Sequence, residues 1–413
     1  MKKLLIFVLF ATVLCSITFA QTFKVKNGID VLKDRNFDVL KGKRVGLITN
    51  PTGVDQHLES TIDILFKAPG VKLVALYGPE HGVRGDYSAG EHVDFYTDPV
   101  TNLPVYSLYG KTRKPTPEML KDIDILVYDI QDNGCRSYTY ISTMGVAMEA
   151  AAENNKEFVV LDRPNPLTGE KIEGNLVEDG FISFVSQFKI PYVYGLTCGE
   201  LAKFLNEEGM LANKIKCKLT VVPMKGWKRS MSFKETGLLW VPASPHVPHN
   251  DSPEYYVSTG VLGELGVISE GVGYTIPFET FAAEWIDGKK LADRMNSFNL
   301  KGVLFRPITF KPFYGANAKK ELHGVQIHFT DMKKVNLLSL QFLFMQANNE
   351  LYPDKNPFTL ATKDRIAFFD KVAGTAQVRE KFGKRMMFED IKDFLDKDIA
   401  SFRKTSRKYY MYR

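Results

Sequence analysis

Cysteine is scarce in this 413-residue chain: four in all, one of which, Cys15, lies in an apolar leader. The others, Cys135, Cys198 and Cys217, are odd in number and lack Cys-x-x-Cys spacing. That argues against a disulfide framework and a zinc site, although one bridge stays open. Beyond the leader no apolar run approaches the length of a membrane span, so stable membrane insertion is not expected. There is no Gly-x-Ser-x-Gly elbow to present a serine nucleophile and no His-Glu-x-x-His helix. Glu270-Gly271-Val272-Gly273-Tyr274 lacks the Lys and Ser/Thr of a phosphate loop. Excess charge is small as well: +6, or +4 once Lys2 and Lys3 are taken off, too weak and dispersed to point to nucleic acid. Internal repeats and low-complexity linkers are also missing.

The first twenty residues read as a signal peptide. Lys2 and Lys3 precede the apolar run Leu4 to Leu14, and Thr18-Phe19-Ala20 sets small residues at the cleavage positions before Gln21. Leu14 stands where a lipobox wants a small residue, so cleavage is expected after Ala20 rather than before Cys15. A secreted, periplasmic or extracellular protein follows. A composition of 44% hydrophobic and 25% charged residues is globular, and the length allows two domains. The basic tail, Arg403 to Arg413, reads as a solvated chain end.

From 21 to 262 strand and helix patterns alternate. Short β-branched or apolar runs at 44–49, 71–77, 125–130, 157–161 and 218–222 suit strands buried on both faces. Between them 142–153 and 197–206 read as helices, the latter opening on a Thr197/Glu200 capping box. This predicts an α/β domain built on a parallel sheet. From 263 to 413 the aromatic-bearing runs 304–310 and 324–329, with helical patterns at 338–348 and beyond 364, predict a smaller α+β domain.

In an open α/β sheet ligands bind beyond the carboxyl ends of the strands. Four polar clusters stand there: Asn50-Pro51-Thr52-Gly53, Gly78 to Gly85, Asp129 to Tyr140, and Asp162 to Pro166. Glu80, beside His81, suits a general acid, or alternatively a bracing pair with Arg84. Asp129 suits a second carboxylate for glycoside chemistry, or orients Arg136 or Tyr138, while Asp162 suits ligand contact or a structural bridge to Arg163. Arg136 or Arg163 could fork onto a substrate carboxylate. His246 and His249 sit in a Pro-rich loop that does not place two imidazoles on one face, so no metal or other cofactor is expected. The loop 242–253 suits the rim of a cleft.

Taken in order, Gly78–Gly85, Gly134–Met144 (GCRSYTYISTM), Leu161–Leu167 (LDRPNPL), Tyr194–Leu201 and Glu270–Glu279 resemble the exo-β-N-acetylmuramidase (NamZ) family. The resemblance implies a Rossmann-like domain followed by a smaller α+β domain, with a cleft between them. It also implies release of N-acetylmuramic acid from the non-reducing ends of peptidoglycan fragments, with Glu80 as acid. Asn50, His81, Arg84, Arg136, Tyr138, Tyr140, Arg163, Asn165, His246 and Glu270 then become substrate-binding candidates. The chain departs from the family pattern at Val272-Gly273-Tyr274 and His246. A non-catalytic wall-glycan binder is the rival reading.

Overall fold

The computed structural model describes residues 24–80, 82–85, 95–315 and 317–413. The expected leader and His81 lie outside the described residues.

Seven strands form the first sheet: β1 (Arg44–Thr49), β2 (Lys72–Gly78), β3 (Phe95–Thr97), β4 (Pro104–Ser107), β5 (Ile125–Asp129), β6 (Glu157–Leu161) and β7 (Lys218–Val222). Their spatial order is β3-β4-β2-β1-β5-β6-β7. All pairs are parallel except β3 with β4. β5 is buried throughout and β1 at all but its first residue, which is why both appear as unbroken apolar runs. From β1 the chain builds outward through β2 and β4 on one side, then crosses to place β5 on the other, so the strand order reverses between β1 and β5. Their carboxyl ends therefore flank the crevice where such sheets take ligands.

Hydrogen bonds stitch that edge together. Thr49 Oγ1 donates to the Asp129 carbonyl at 2.9 Å, and Gln131 N donates to Thr52 Oγ1 at 2.8 Å. The Thr197 capping box forms over the helix Cys198–Glu207. Gly134, at φ +80°, accepts a conformation most residues avoid, and a Cβ there would lie 2.4 Å from Asn165 Oδ1.

A second, antiparallel sheet, ordered β8-β10-β9, comprises β8 (Thr280–Ala283), β9 (Val303–Phe310) and β10 (Leu322–Phe329). The helix Ser339–Leu351 stacks Phe344 on Phe281 of β8, ring centroids 4.4 Å apart. The expected boundary at 262 falls at the end of a helix, Ser252–Gly263, which packs on the C-terminal part: Gln341 Oε1 accepts from Leu262 N at 2.8 Å. One apolar core runs through both parts, from Ile48 to Phe402. Cys135, Cys198 and Cys217 are buried free thiols. Among the described residues no helix is long and apolar enough to cross a membrane.

Candidate functional site

A cleft of about 560 Å³ opens at the carboxyl edge of the parallel sheet, between the two parts. Glu80 reaches it from the turn after β2, and Tyr109 and Arg113 from the loop after β4. Tyr138 and Tyr140 enter from the segment after β5. Tyr256 and Glu264 come from the helix Ser252–Gly263 and its C-cap, and Phe368 and Lys371 from the helix Lys363–Ala373.

The half-buried Glu80 carboxylate is hydrogen-bonded by the Tyr109 phenol. Burial first, then this carboxylate, pushes Tyr109 up to about 12, while the nearby Arg113 charge pulls it back. Tyr138 packs edge-on against Tyr140 (4.9 Å between centroids) and Tyr256 (5.6 Å), giving an aromatic wall contributed by both parts. Tyr140 Oη donates to the Ala243 carbonyl at 2.5 Å. Tyr138 Oη and Asn50 Nδ2 are buried beside it without a hydrogen-bond partner of normal geometry. Such groups are costly to leave unpaired.

A smaller cavity of about 270 Å³ adjoins the cleft and shares Tyr256 and Glu264 with it. Glu270 and Arg365 line it, and the Glu270 carboxyl packs 3.2 Å from where a Cβ on Gly263 would stand. Burial, then the Glu270 charge, pushes Glu264 up to about 7, opposed by Arg365, whose Nη1 lies 3.8 Å from Glu264 Oε2. Burial likewise pushes Glu270 up to about 7. Sequence reasoning found Glu270 but missed Glu264, Arg113 and Tyr109. Glu264 follows an apolar, glycine-rich run and Arg113 sits in a Lys/Arg-rich loop that reads as surface.

Several expected residues turn away from the cleft. Asp129 is fully buried and accepts from Arg163 Nε (2.6 Å), Arg163 Nη2 (2.9 Å) and Thr61 Oγ1 (2.5 Å), so its oxygens are committed to the scaffold. Arg163 is thereby consumed. Asp162 accepts from Tyr412 Oη (2.5 Å), Thr197 Oγ1 (2.7 Å) and Gly199 N (2.8 Å), and burial pushes it up to about 7. It anchors the C-terminal segment and a helix start.

Arg136 spends all five N–H groups inside the protein. Nε donates to Ser186 Oγ, Nη1 to the Asn175 and Ile190 carbonyls, and Nη2 to those of Val372 and Ala373, all at 2.7–3.2 Å. Neither arginine expected to read a substrate carboxylate is therefore available to do so. Arg84 braces the fold through Asp98 (2.6 Å) and Asp63 (3.0 Å), and Asn165 bonds the Leu196 carbonyl and Leu167 N. His246 Nε2 meets Tyr314 Oη at 2.7 Å, tying its loop to the β9–β10 connection. No three His, Cys, Asp or Glu side chains among the described residues converge as metal ligands.

Fold and cleft together define a two-part α/β protein with a carboxyl- and tyrosine-lined pocket between a parallel-sheet domain and an α+β domain. The chain belongs to the exo-beta-N-acetylmuramidase NamZ family. The model of the family's N-terminal domain matches residues 45–251 and that of its C-terminal domain residues 254–412. It is 47% identical over 389 residues to the peptidoglycan beta-N-acetylmuramidase NamZ of Bacillus subtilis, covering 94% of this chain and 92% of that one. Two solved structures of DUF1343-family proteins from Bacteroides fragilis share the fold. One has a TM-score of 0.91 at 62% identity, covering 95% of this chain and 100% of that one. The other has a TM-score of 0.72 at 27% identity, covering 94% and 99%.

Proposed function

We propose that the protein is an exo-acting glycosidase that releases N-acetylmuramic acid from the non-reducing ends of peptidoglycan fragments, with Glu80 as general acid. The observation that carries this reading is the Glu80 carboxyl on the cleft wall at the end of β2, held by Tyr109 and facing an aromatic surface suited to a sugar ring. The name of the Bacillus subtilis relative supports the substrate class. The leader-like first twenty residues support action outside the cytoplasm.

Glu80 protonates the oxygen of the departing sugar as its bond to the anomeric carbon breaks. Tyr109 donates to the carboxylate left behind, so the contact strengthens as the proton leaves, the direction catalysis requires. With Asp129 and Asp162 committed to the scaffold, Glu264 is the second carboxyl group at the cleft among the described residues. It takes a proton from the attacking water, whose hydroxyl adds to the anomeric carbon.

The test is mass analysis of products from a defined wall oligosaccharide, together with the Glu80→Gln variant on a chromogenic muramic acid glycoside. Release of single muramic acid units by the wild type and a loss of about 10²–10⁴-fold in the variant are expected. Near-wild-type turnover by Glu80→Gln overturns the acid assignment. Saturable binding without product favours the glycan-binding reading.

A further inference from the structure

Muramic acid differs from glucosamine by a lactyl ether that ends in a carboxylate, and the cleft already holds the carboxyl groups of Glu80 and Glu264. An anionic sugar needs a cation there to offset their repulsion. We propose that Arg113 binds the lactyl carboxylate and that this contact selects muramic acid over glucosamine. The inference rests on the muramidase reading and goes beyond it by naming the group that reads the substrate's defining substituent.

Position and availability carry the assignment. Arg136 has no N–H left to give, and Arg163 is forked onto Asp129. Arg113 is on the cleft wall, exposed, and makes no ion pair among the described residues. Its guanidinium lies 4.5 Å above the centroid of the Phe184 ring, another part of the same wall. That cation–π contact holds the guanidinium at the wall, where its N–H groups can meet a carboxylate two at a time.

The sugar itself sets a second condition. The anomeric carbon and the carbon bearing the lactyl ether are separated by one ring carbon. The proton donor and the carboxylate reader must therefore share a pocket only one sugar ring across. Glu80, Tyr109 and Arg113 line the same cleft, Tyr109 and Arg113 coming from one short loop, which puts the acid and the cation on a common wall. Lys371, on the facing helix, adds positive charge but presents a point charge rather than a fork.

The experiment measures binding of N-acetylmuramic acid, its lactyl carboxamide and N-acetylglucosamine to the wild type and to the Arg113→Met, Arg113→Lys and Lys371→Met variants. Release of muramic acid from the chromogenic glycoside is measured in parallel. The wild type should prefer the acid to the carboxamide by about 10–100-fold, the range of a charge-assisted fork. Arg113→Met should lose that preference, most of the fall lying in its affinity for the acid, with its melting temperature intact. Arg113→Lys should keep part of the preference, and on the glycoside the loss should fall mainly in KM.

Retention of the preference by Arg113→Met overturns the proposal, as does its loss in Lys371→Met alone or its absence in the wild type. Failure of the wild type to release muramic acid strikes the hydrolase reading instead, and the binding preference still decides the role of Arg113.

Discussion

Asp129 and Arg163 meet edge to edge at the carboxyl end of β5, Nε to Oδ1 at 2.6 Å and Nη2 to Oδ2 at 2.9 Å, with side-chain exposures of 0% and 4%. Removing one partner of such a pair leaves a buried charge uncompensated. Asp129→Ala should therefore lower unfolding stability by about 3–5 kcal/mol. The folded fraction should keep its turnover number. Denaturant melts alongside active-site-normalised rates check this, and a stable but inactive variant would return Asp129 to the chemistry.

On the proposed mechanism, Tyr109 acts through Glu80. Tyr109→Phe should reduce kcat by about 10-fold, the worth of one hydrogen bond to a charged group. The same change made in the Glu80→Gln background should cost almost nothing. A double-mutant cycle on kcat reads the coupling, and additive losses would place Tyr109 outside the acid's machinery.

Glu264, pushed up to about 7, must be ionised to accept a proton from water. The ascending limb of kcat/KM should therefore have its midpoint near pH 7. Glu264→Gln should flatten that limb at a lower rate. Arg365 favours the ionised form, so Arg365→Met should move the limb to higher pH. A pH–rate profile of the three proteins is the check, and an unshifted limb in both variants would remove Glu264 from the role.

Glu254 is buried in the helix Ser252–Gly263, and burial, then the Asp251 charge, pushes it up from 4.5 to about 8. Between those values the folded protein holds a proton that the unfolded chain has lost. The group's contribution to stability thus declines as pH rises from about 4.5 to about 8 and is flat above. Glu254→Gln should remove this slope. It should match the wild type near pH 4.5 and exceed it at pH 8 by up to a few kcal/mol. Thermal melts at the two pH values decide it.

Strands β1 and β6 are legible to the residue because a strand covered on both faces is a short apolar run between polar stops, and the partly exposed edge strand β7 is legible as a β-branched run with similar stops. β8 is four residues long and carries no such bracket. The helix Ser252–Gly263 is hidden for two reasons: it opens at Pro253 behind a Pro-rich loop, and most of its residues are buried, so no polar stripe marks it. At the site, Glu80, Tyr138 and Tyr140 are legible as polar residues at strand ends. Asp129, Asp162, Arg136 and Arg163 stand at the same edge in sequence but face inward. The difference lies in partners far along the chain, Arg163 being 34 residues from Asp129 and Ala373 being 237 from Arg136. Local pattern cannot distinguish a carboxylate awaiting a ligand from one already held.

The Arg136 clamp has a mechanical consequence. Its guanidinium spans the two parts and answers backbone carbonyls on both, so swinging the parts open would strand a buried cation and several carbonyls at once. The two parts are thus pinned to one another at this seam. On the proposed reading, a glycan end would meet a cleft already shaped for it and would not have to draw the two parts together.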